Sequence, residues 1–388
     1  MILSKLPSVG TTIFTVMSQL ALEHNAVNLG QGFPDFEPDQ RLRDLVTAAM
    51  NEGHNQYPYM PGVAGLREAI SQKVETIYGR KYDPLTEVTV TSGATEALMA
   101  AVLACAHVGD EVIVIEPCYD SYRPAIVLAG ATPVPVAMRP PTHDDPFYRV
   151  DWDRVRDAIT PKTRVLMINS PHNPTGSVLD ASDLDALENL VAGTGIVIIS
   201  DEVYEHIVFD GRPHLSLSQR PALADRTFVI SSFGKTYHVT GWKIGYCCAP
   251  KALTAELRKV HQFLVFTVPS PMQIALATFM QDSDSYTGLS TFYQEKRDDL
   301  AGQLTQSRFK VLPSAGTFFM LADYSAISDE PEAEFAKRLT IEHGVTLIPV
   351  SAFYSDPSDA QANHGLIRMC FAKRQETLLS AAERLRGV

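Results

Sequence analysis

Between residues 88 and 248 six short runs of β-branched and apolar residues recur: Val88-Thr89-Val90-Thr91, Val112-Ile113-Val114-Ile115, Val165-Leu166-Met167-Ile168, Ile196-Val197-Ile198-Ile199, Phe228-Val229-Ile230 and Ile244-Gly245-Tyr246-Cys247-Cys248. Each is short and apolar without alternation, the pattern of a strand covered on both faces of its sheet. Helical periodicity lies between several of them, as in Thr95 to His107 and Ala181 to Leu190, so a mostly parallel sheet with crossover helices is predicted. One link differs. Only a dozen residues separate the run ending near Ile230 from the one beginning near Lys243, too few for a crossover helix, so that pair is predicted antiparallel.

After Pro269-Ser270-Pro271 the pattern turns to long helical stretches. Thr317 to Leu321, Val345 to Pro349 and Leu366 to Phe371 then read as strands, closed by a helix from Gln375 to Arg386. The Pro- and Gly-rich opening, Asn28-Leu29-Gly30-Gln31-Gly32-Phe33-Pro34-Asp35, cannot be a long element and is expected to fold back onto this later part. The fold class is therefore α/β: a large domain over 41–288 with a mostly parallel central sheet flanked by helices, and a smaller α+β domain from 289–388 and 1–40 with an N-terminal arm. For 388 residues two or three domains is the ordinary count.

Charge and composition narrow the function. Lys plus Arg number 33 against 45 Asp plus Glu, a balance of −12 that repels a phosphate backbone, so no nucleic-acid partner is expected. No stretch approaches the ~18 uninterrupted apolar residues of a membrane span. Met1 to Leu20 carries a single Lys5 and is broken by Pro7 and Gly10, unlike a secretory signal, so a cytoplasmic location is expected. Five cysteines without a Cys-x-x-Cys pair argue against a disulfide framework and against zinc, and read as buried small hydrophobes.

In open α/β sheets ligands bind beyond the carboxyl ends of the strands. There the chain places Ser92-Gly93-Ala94-Thr95-Glu96 opening a helix, whose free N–H groups suit a phosphate. Next come the amide-bearing turn Asn169-Ser170-Pro171-His172-Asn173-Pro174-Thr175-Gly176, then Asp201-Glu202-Val203-Tyr204, then Ser231-Ser232-Phe233-Gly234-Lys235. Taken singly, Asp201 and Thr95 are as well explained as helix caps, Asn173 as holding its own turn and Lys235 as a solvated cation. Their convergence is the argument. Pyridoxal phosphate needs an amine to carry it, a carboxylate to keep its pyridine nitrogen protonated and an anion site for its phosphate; Lys235, Asp201 and the helix start meet those needs. Rival motifs fail on inspection. A Walker loop ending at Gly234-Lys235-Thr236 requires Gly where Val229 stands, and neither Gly30-x-Gly32 nor Gly193-x-Gly195 has the third glycine of a dinucleotide site. No Gly-x-Ser-x-Gly elbow or His-Glu-x-x-His occurs.

Ser231-Ser232-Phe233-Gly234-Lys235 followed by Thr240-Gly241-Trp242-Lys243-Ile244-Gly245 resembles the lysine signature of the class I, fold type I, pyridoxal-phosphate aminotransferases. Asn173-Pro174-Thr175-Gly176, Asp201-Glu202-Val203-Tyr204 and Arg368 in Ile367-Arg368-Met369-Cys370-Phe371 follow in that family's order, so the resemblance spans almost the whole chain. Gly30-Gln31-Gly32-Phe33-Pro34-Asp35-Phe36 and Gly241-Trp242-Lys243 are similar to the branch of methionine aminotransferases and kynurenine/glutamine transaminases.

The resemblance implies that Lys235 carries the cofactor and shuttles a proton, that Asp201 pairs with the pyridine nitrogen, and that Asn173 and Tyr204 bond the ring's phenolic oxygen. Tyr119 would stack on the ring, though a core aromatic fits its sequence as well. Gly93, Ala94, Thr95, Ser232 and Lys243 would hold the phosphate, joined by Tyr57 of the neighbouring subunit of a homodimer with shared active sites. Arg368 would clamp the substrate carboxylate with its planar fork, beside Asn173 and Gly32. Phe14 and Phe33 would form an apolar side-chain pocket. Many members of the wider class have Arg where Lys243 stands, which replaces a fork by a point charge. The implied reaction moves an amino group from an L-amino acid of the methionine, aromatic (kynurenine) or glutamine type to a 2-oxo acid by a ping-pong exchange. Two alternatives remain at this stage: a cysteine-conjugate carbon–sulfur β-lyase on the same lysine, and a non-catalytic protein binding the cofactor or an amino acid, for whose extra module the chain is expected to have no spare length.

Overall fold

The computed structural model describes residues 3–388; Met1 and Ile2, with which the expected small domain begins, lie outside the described residues. All six apolar runs become strands, at Val88–Thr91, Glu111–Glu116, Thr163–Asn169, Val197–Asp201, Thr227–Ser232 and Gly245–Cys248. With a seventh strand, Thr132–Ala137, they form one sheet whose spatial order, named by first residue, is Val88, Gly245, Thr227, Val197, Thr163, Glu111, Thr132. Gly245–Cys248 runs antiparallel to both neighbours, and the remaining pairings are parallel. The short link thus reverses the chain as its length requires.

The strand Thr132–Ala137 escapes sequence reading because Thr132-Pro133-Val134-Pro135-Val136-Ala137 carries two prolines, normally a mark against a strand. It lies at the sheet edge. The Thr132 N–H donates inward to the Asp110 carbonyl, so by alternation both proline nitrogens face the open side, where no donor is needed.

The unbroken apolar runs have a direct cause in the packing. Val112 and Val114 face a cluster that includes Ala97 and Ala101 of the helix Gly93–Cys105, while Ile113 and Ile115 face the opposite cluster with Leu184 and Leu187 of Ala181–Val191. Helices cover both sides, so neither set of alternate side chains meets water. The helix Ala181–Val191 starts where Asp180 and Asp183 exchange bonds in a capping box.

A second, four-stranded antiparallel sheet orders Ile348–Pro349, Leu366–Cys370, Phe319–Asp323 and Lys310–Val311. The single strand expected over Val345 to Pro349 is in fact two. Val345–Thr346 pairs in parallel with Val27–Asn28, and Ile348–Pro349 pairs with Leu366–Cys370. The run is apolar throughout because Leu347 is buried where the chain changes partners. The Gly-rich opening does fold back here, with the Cys370 N–H donating to the Leu29 carbonyl at 2.7 Å, and the last helix spans Gln375–Leu385. Cys118, Cys247, Cys248 and Cys370 are buried and Cys105 is half-buried, all as free thiols. Among the described residues no cluster suited to a metal occurs, and no helix is long and apolar enough to cross a membrane.

Beneath the carboxyl ends of Val197–Asp201 and Thr227–Ser232 and the amino end of Gly245–Cys248 lies a buried ion pair. Lys73 donates to Glu205 at 2.7 Å, with side chains 5% and 3% exposed. The same carboxylate accepts from Ser231 Oγ at 2.6 Å, Tyr246 OH at 2.8 Å and Tyr78 OH at 2.7 Å. Burial alone would raise the Glu205 pKa, but Lys73, His206 and the hydrogen bonds reverse this and hold it below the ordinary carboxylate value. Removing one member strands the other charge. Lys73→Met is expected to lower the unfolding free energy by about 3–5 kcal/mol, read by denaturant titration, with Lys73→Met/Glu205→Gln recovering part of the loss.

Candidate active site

The polar segments that follow the strands converge on one cleft of about 330 Å³. It gathers Gly93, Ala94, Thr95, Tyr119, Asn173, Asp201, Tyr204, Ser232, Lys235, Lys243 and Arg368, with Phe14 and Gly32 from the N-terminal segment. Two of the expected residues do not line it: Tyr57, which the resemblance assigns to a neighbouring subunit's phosphate, and Phe33. Tyr57 is 83% exposed, its ring edge-on to Phe266. Phe33 is 43% exposed and packs 4.8 Å from Lys373 Nζ, outside the cleft. The cause is its neighbour: a Cβ on Gly32 would stand 2.6 Å from Phe319 Cζ, so the backbone itself closes on the cleft there. The Gly32 carbonyl accepts from Lys235 Nζ at 2.9 Å, and the following side chain turns out.

The anion end is built by backbone. Gly93, with φ +67°, starts the helix Gly93–Cys105 and leaves its first N–H groups and positive dipole end facing the cleft. A Cβ on Gly245 would lie 2.8 Å from Ala94 N, so glycine lets the antiparallel strand pack directly under this helix start. Lys243 holds a left-handed φ of +56°, and its Nζ would be 3.4 Å from a Cβ on Gly93, setting the ammonium against the same backbone.

At the other end Asp201 is buried, and Tyr122 OH donates to its Oδ2 at 2.6 Å. Burial pushes its pKa up to about 6, against the Tyr122 hydroxyl, the Val203 N–H and Lys235. Lys235 shows the complementary shift. Burial brings its amine down to about 8, with Arg368 and Lys243 pushing the same way against Asp201. Its ammonium stands 5.6 Å from the centre of the Tyr204 ring.

Arg368 enters from the middle of Leu366–Cys370 and is 1% exposed. Its guanidinium lies 3.9 Å over Phe319 and 5.4 Å from the Phe14 ring. One nitrogen donates to Asn173 Oδ1 at 2.7 Å and another to the Gly30 carbonyl at 2.8 Å, while Nε is buried without a partner. Such a cation calls for an anion. Burial lowers its pKa to about 10, so the charge persists at neutral pH.

Asn169 aligns the amide. Its Oδ1 accepts from the Asn173 N–H and its Nδ2 donates to the Asp201 carbonyl, both at 2.8 Å, locking the turn to the neighbouring strand end. Sequence reading gives Asn169 no role, and it passes over Asp120 and Tyr122 altogether. The signal was present: Cys118-Tyr119-Asp120-Ser121-Tyr122 follows the strand Glu111–Glu116, and the strand-end rule applied there points at both. This donor set fits pyridoxal phosphate: a depressed amine, a raised carboxyl held in place by a phenol, and an N–H cradle backed by a lysine. The unpartnered guanidinium suits the carboxylate of a second molecule.

The sequence profile of the family described as "Aminotransferase class I and II" matches residues 24–385. Methionine aminotransferase of Escherichia coli (strain K12) is 50% identical over 384 residues, covering 99% of this chain and 97% of that protein. The crystal structure of YbdL from Escherichia coli, identified with a methionine aminotransferase function, covers 100% of both chains with a TM-score of 0.96 at 49% identity. A probable N-succinyldiaminopimelate aminotransferase of Mycobacterium tuberculosis is 44% identical, over 99% of this chain and 98% of its own length. A kynurenine–oxoglutarate transaminase of Dictyostelium discoideum is 35% identical, over 97% and 94%.

The Lys235 shift has a stability consequence. The folded value of about 8 lies below the unfolded value of about 10.4, so between the two the unfolded chain binds the extra proton and stability rises with pH. In cofactor-free protein Lys235→Met should therefore raise the thermal midpoint below pH 8, with the gain fading toward about pH 10. A gain that grows with pH would refute this origin.

Proposed function

The chain belongs to the class I and II aminotransferases, pyridoxal 5′-phosphate enzymes that exchange an amino group between an amino acid and a 2-oxo acid, and we propose that its donor is a neutral L-amino acid of the methionine, aromatic or glutamine type. The observation that carries this is the charge inventory of the cleft. Its cations are Lys235, Lys243 and Arg368; once the first two serve the cofactor and the third the α-carboxylate, none of this chain's lining residues is left for a second carboxylate. N-succinyldiaminopimelate carries further carboxylates, so of the substrates named for these two relatives methionine is the better match. Phe14 and Phe319 supply apolar surface beside Arg368.

In this reading Lys235 holds the cofactor, and the Gly93-Ala94-Thr95 backbone, Ser232 and Lys243 grip its phosphate. Asp201, oriented by Tyr122, carries the charge opposite the pyridine nitrogen. Tyr119 would hold the ring, and Asn173 and Tyr204 would offer donors to its phenolic oxygen. When bound, pyridoxal phosphate supplies the electron sink for the pair left at the substrate α-carbon. Arg368 fixes the α-carboxylate and thereby the direction of the α-carbon–hydrogen bond. Lys235 Nζ would take that proton, a role for which an amine of pKa about 8 is suited. Phe14 and Phe319 exclude water at the carboxylate.

We further assign 41–288 to the large cofactor domain and 1–40 with 289–388 to the small one, since the seven-stranded sheet lies within the former and Val27–Asn28 pairs with Val345–Thr346. A homodimer in the cytoplasm completes the reading: the exposed Tyr57, backed by Phe266 with Phe263 84% exposed nearby in sequence, would reach the neighbouring subunit's phosphate site.

Two measurements test these statements. Among a panel of amino donors, methionine, aromatic amino acids and glutamine should give the highest kcat/KM, and Lys235→Ala should lose both the yellow colour and at least ~10³-fold in turnover. Pyruvate and ammonia from a cysteine conjugate, with no acceptor required, would favour the lyase instead. Light scattering should give about double the 42.6 kDa of one chain, and Tyr57→Phe should weaken cofactor retention severalfold; an active monomer would exclude the shared site.

A further inference from the structure

Of the charges in the cleft, four have been given tasks: Lys235, Lys243, Asp201 and Arg368. The fifth is Asp120. It stands in the turn between the strand Glu111–Glu116 and the helix Tyr122–Leu128, half-buried, and lines the same cavity. Burial raises its pKa above the ordinary carboxylate value, and Arg368, followed by Arg123, opposes that rise. Asp120 and Arg368 line the one cavity, and Arg368 in turn feels the Asp120 charge. Arg123 is already committed, to Glu116 at 2.9 Å and to the Tyr354 carbonyl at 2.9 Å. No spare cation of this chain therefore screens Asp120 from the cleft.

We propose that Asp120 is a specificity-determining residue, whose carboxylate disfavours amino acids and 2-oxo acids bearing a second carboxylate and so leaves the cleft to substrates with neutral side chains. The argument is geometric and electrostatic. An amino acid docks its α-carboxylate on Arg368, and the side chain must then share the remaining space with Asp120. A neutral side chain meets no penalty, whereas a second anion is held in a partly desolvated cavity beside a like charge. Rejection by a repulsive element is the usual second half of specificity. The effect is a ratio of rates, so a dicarboxylic compound remains a slower substrate. This inference rests on the neutral-donor reading above and supplies its cause.

Glutamine and glutamate are nearly isosteric and differ by one charge, which makes them the probe. With holoenzyme near pH 8 and one neutral 2-oxo acid as acceptor, the wild type should prefer glutamine. In Asp120→Asn the glutamate-to-glutamine ratio of kcat/KM should rise about tenfold, the order expected of one like charge in a partly desolvated cleft, chiefly through the KM for glutamate. Asp120→Glu should keep the wild-type preference. Because a change in folding or general activity moves both donors together, the ratio isolates the charge. Should Asp120→Asn fail to fold, Asp120→Ser, which removes the same charge with a smaller side chain, answers instead through the same ratio. An active Asp120→Asn or Asp120→Ser enzyme with an unchanged ratio overturns the role of Asp120 alone. A wild type that prefers dicarboxylic donors to every neutral one overturns the neutral-donor reading itself.

Discussion

The cleft depends on one buried carboxylate that no substrate touches. Glu205 accepts from Lys73, Ser231, Tyr246 and Tyr78, and the carboxylate and its two strand contacts are each a sequence neighbour of the machinery: Glu205 of Tyr204, Ser231 of Ser232, Tyr246 of Gly245. Two strand ends and the start of the antiparallel strand are thus tied from below, while Tyr204 and Ser232 line the cavity above and Gly245 packs under the helix start at its anion end. A charge buried with several donors is costly to disturb, which is what a floor requires if the residues on it are to keep their spacing.

Above that floor the electrostatics run the other way. Asp201 is pushed up, Lys235 and Arg368 are pushed down, and burial is the leading cause in all three. These groups are held in surroundings that disfavour their charged forms, with partners fewer than they can use: Arg368 Nε has none. A cofactor bearing a phosphate and a basic ring nitrogen, and a substrate bearing a carboxylate, complete what the protein leaves open. Lys243, which lines the cleft, also holds a left-handed backbone. Floor and cleft therefore divide the labour, one satisfied and rigid, the other poised to bind.

Most of the site was legible because open α/β sheets put their ligands beyond strand ends, and four of those ends carry an acid, an amide, an amine or a helix start. The omissions came from the strand end that was passed over. Tyr122, which orients Asp201, and Asp120, which with Arg368 lines the cleft, both follow Glu111–Glu116. Phe33 was misplaced for another reason: neighbours in sequence can face opposite ways, and Gly32 had to meet Phe319. Likewise the edge strand Thr132–Ala137 was hidden by prolines that matter only where a strand must bond on both sides.

By itself the amino-acid sequence determined the elements and their sheet, because unbroken apolar runs can be satisfied only by burial on both faces, and it determined the residue types gathered at the rim. The tertiary structure alone decided which side chains meet: Lys73 with Glu205, 132 residues apart, and Arg368 with Asn173, 195 apart. Hydrophobic periodicity is local and survives in a string of letters. Ion pairing, desolvation and the direction of a side chain belong to distances in space, and only the folded chain sets those.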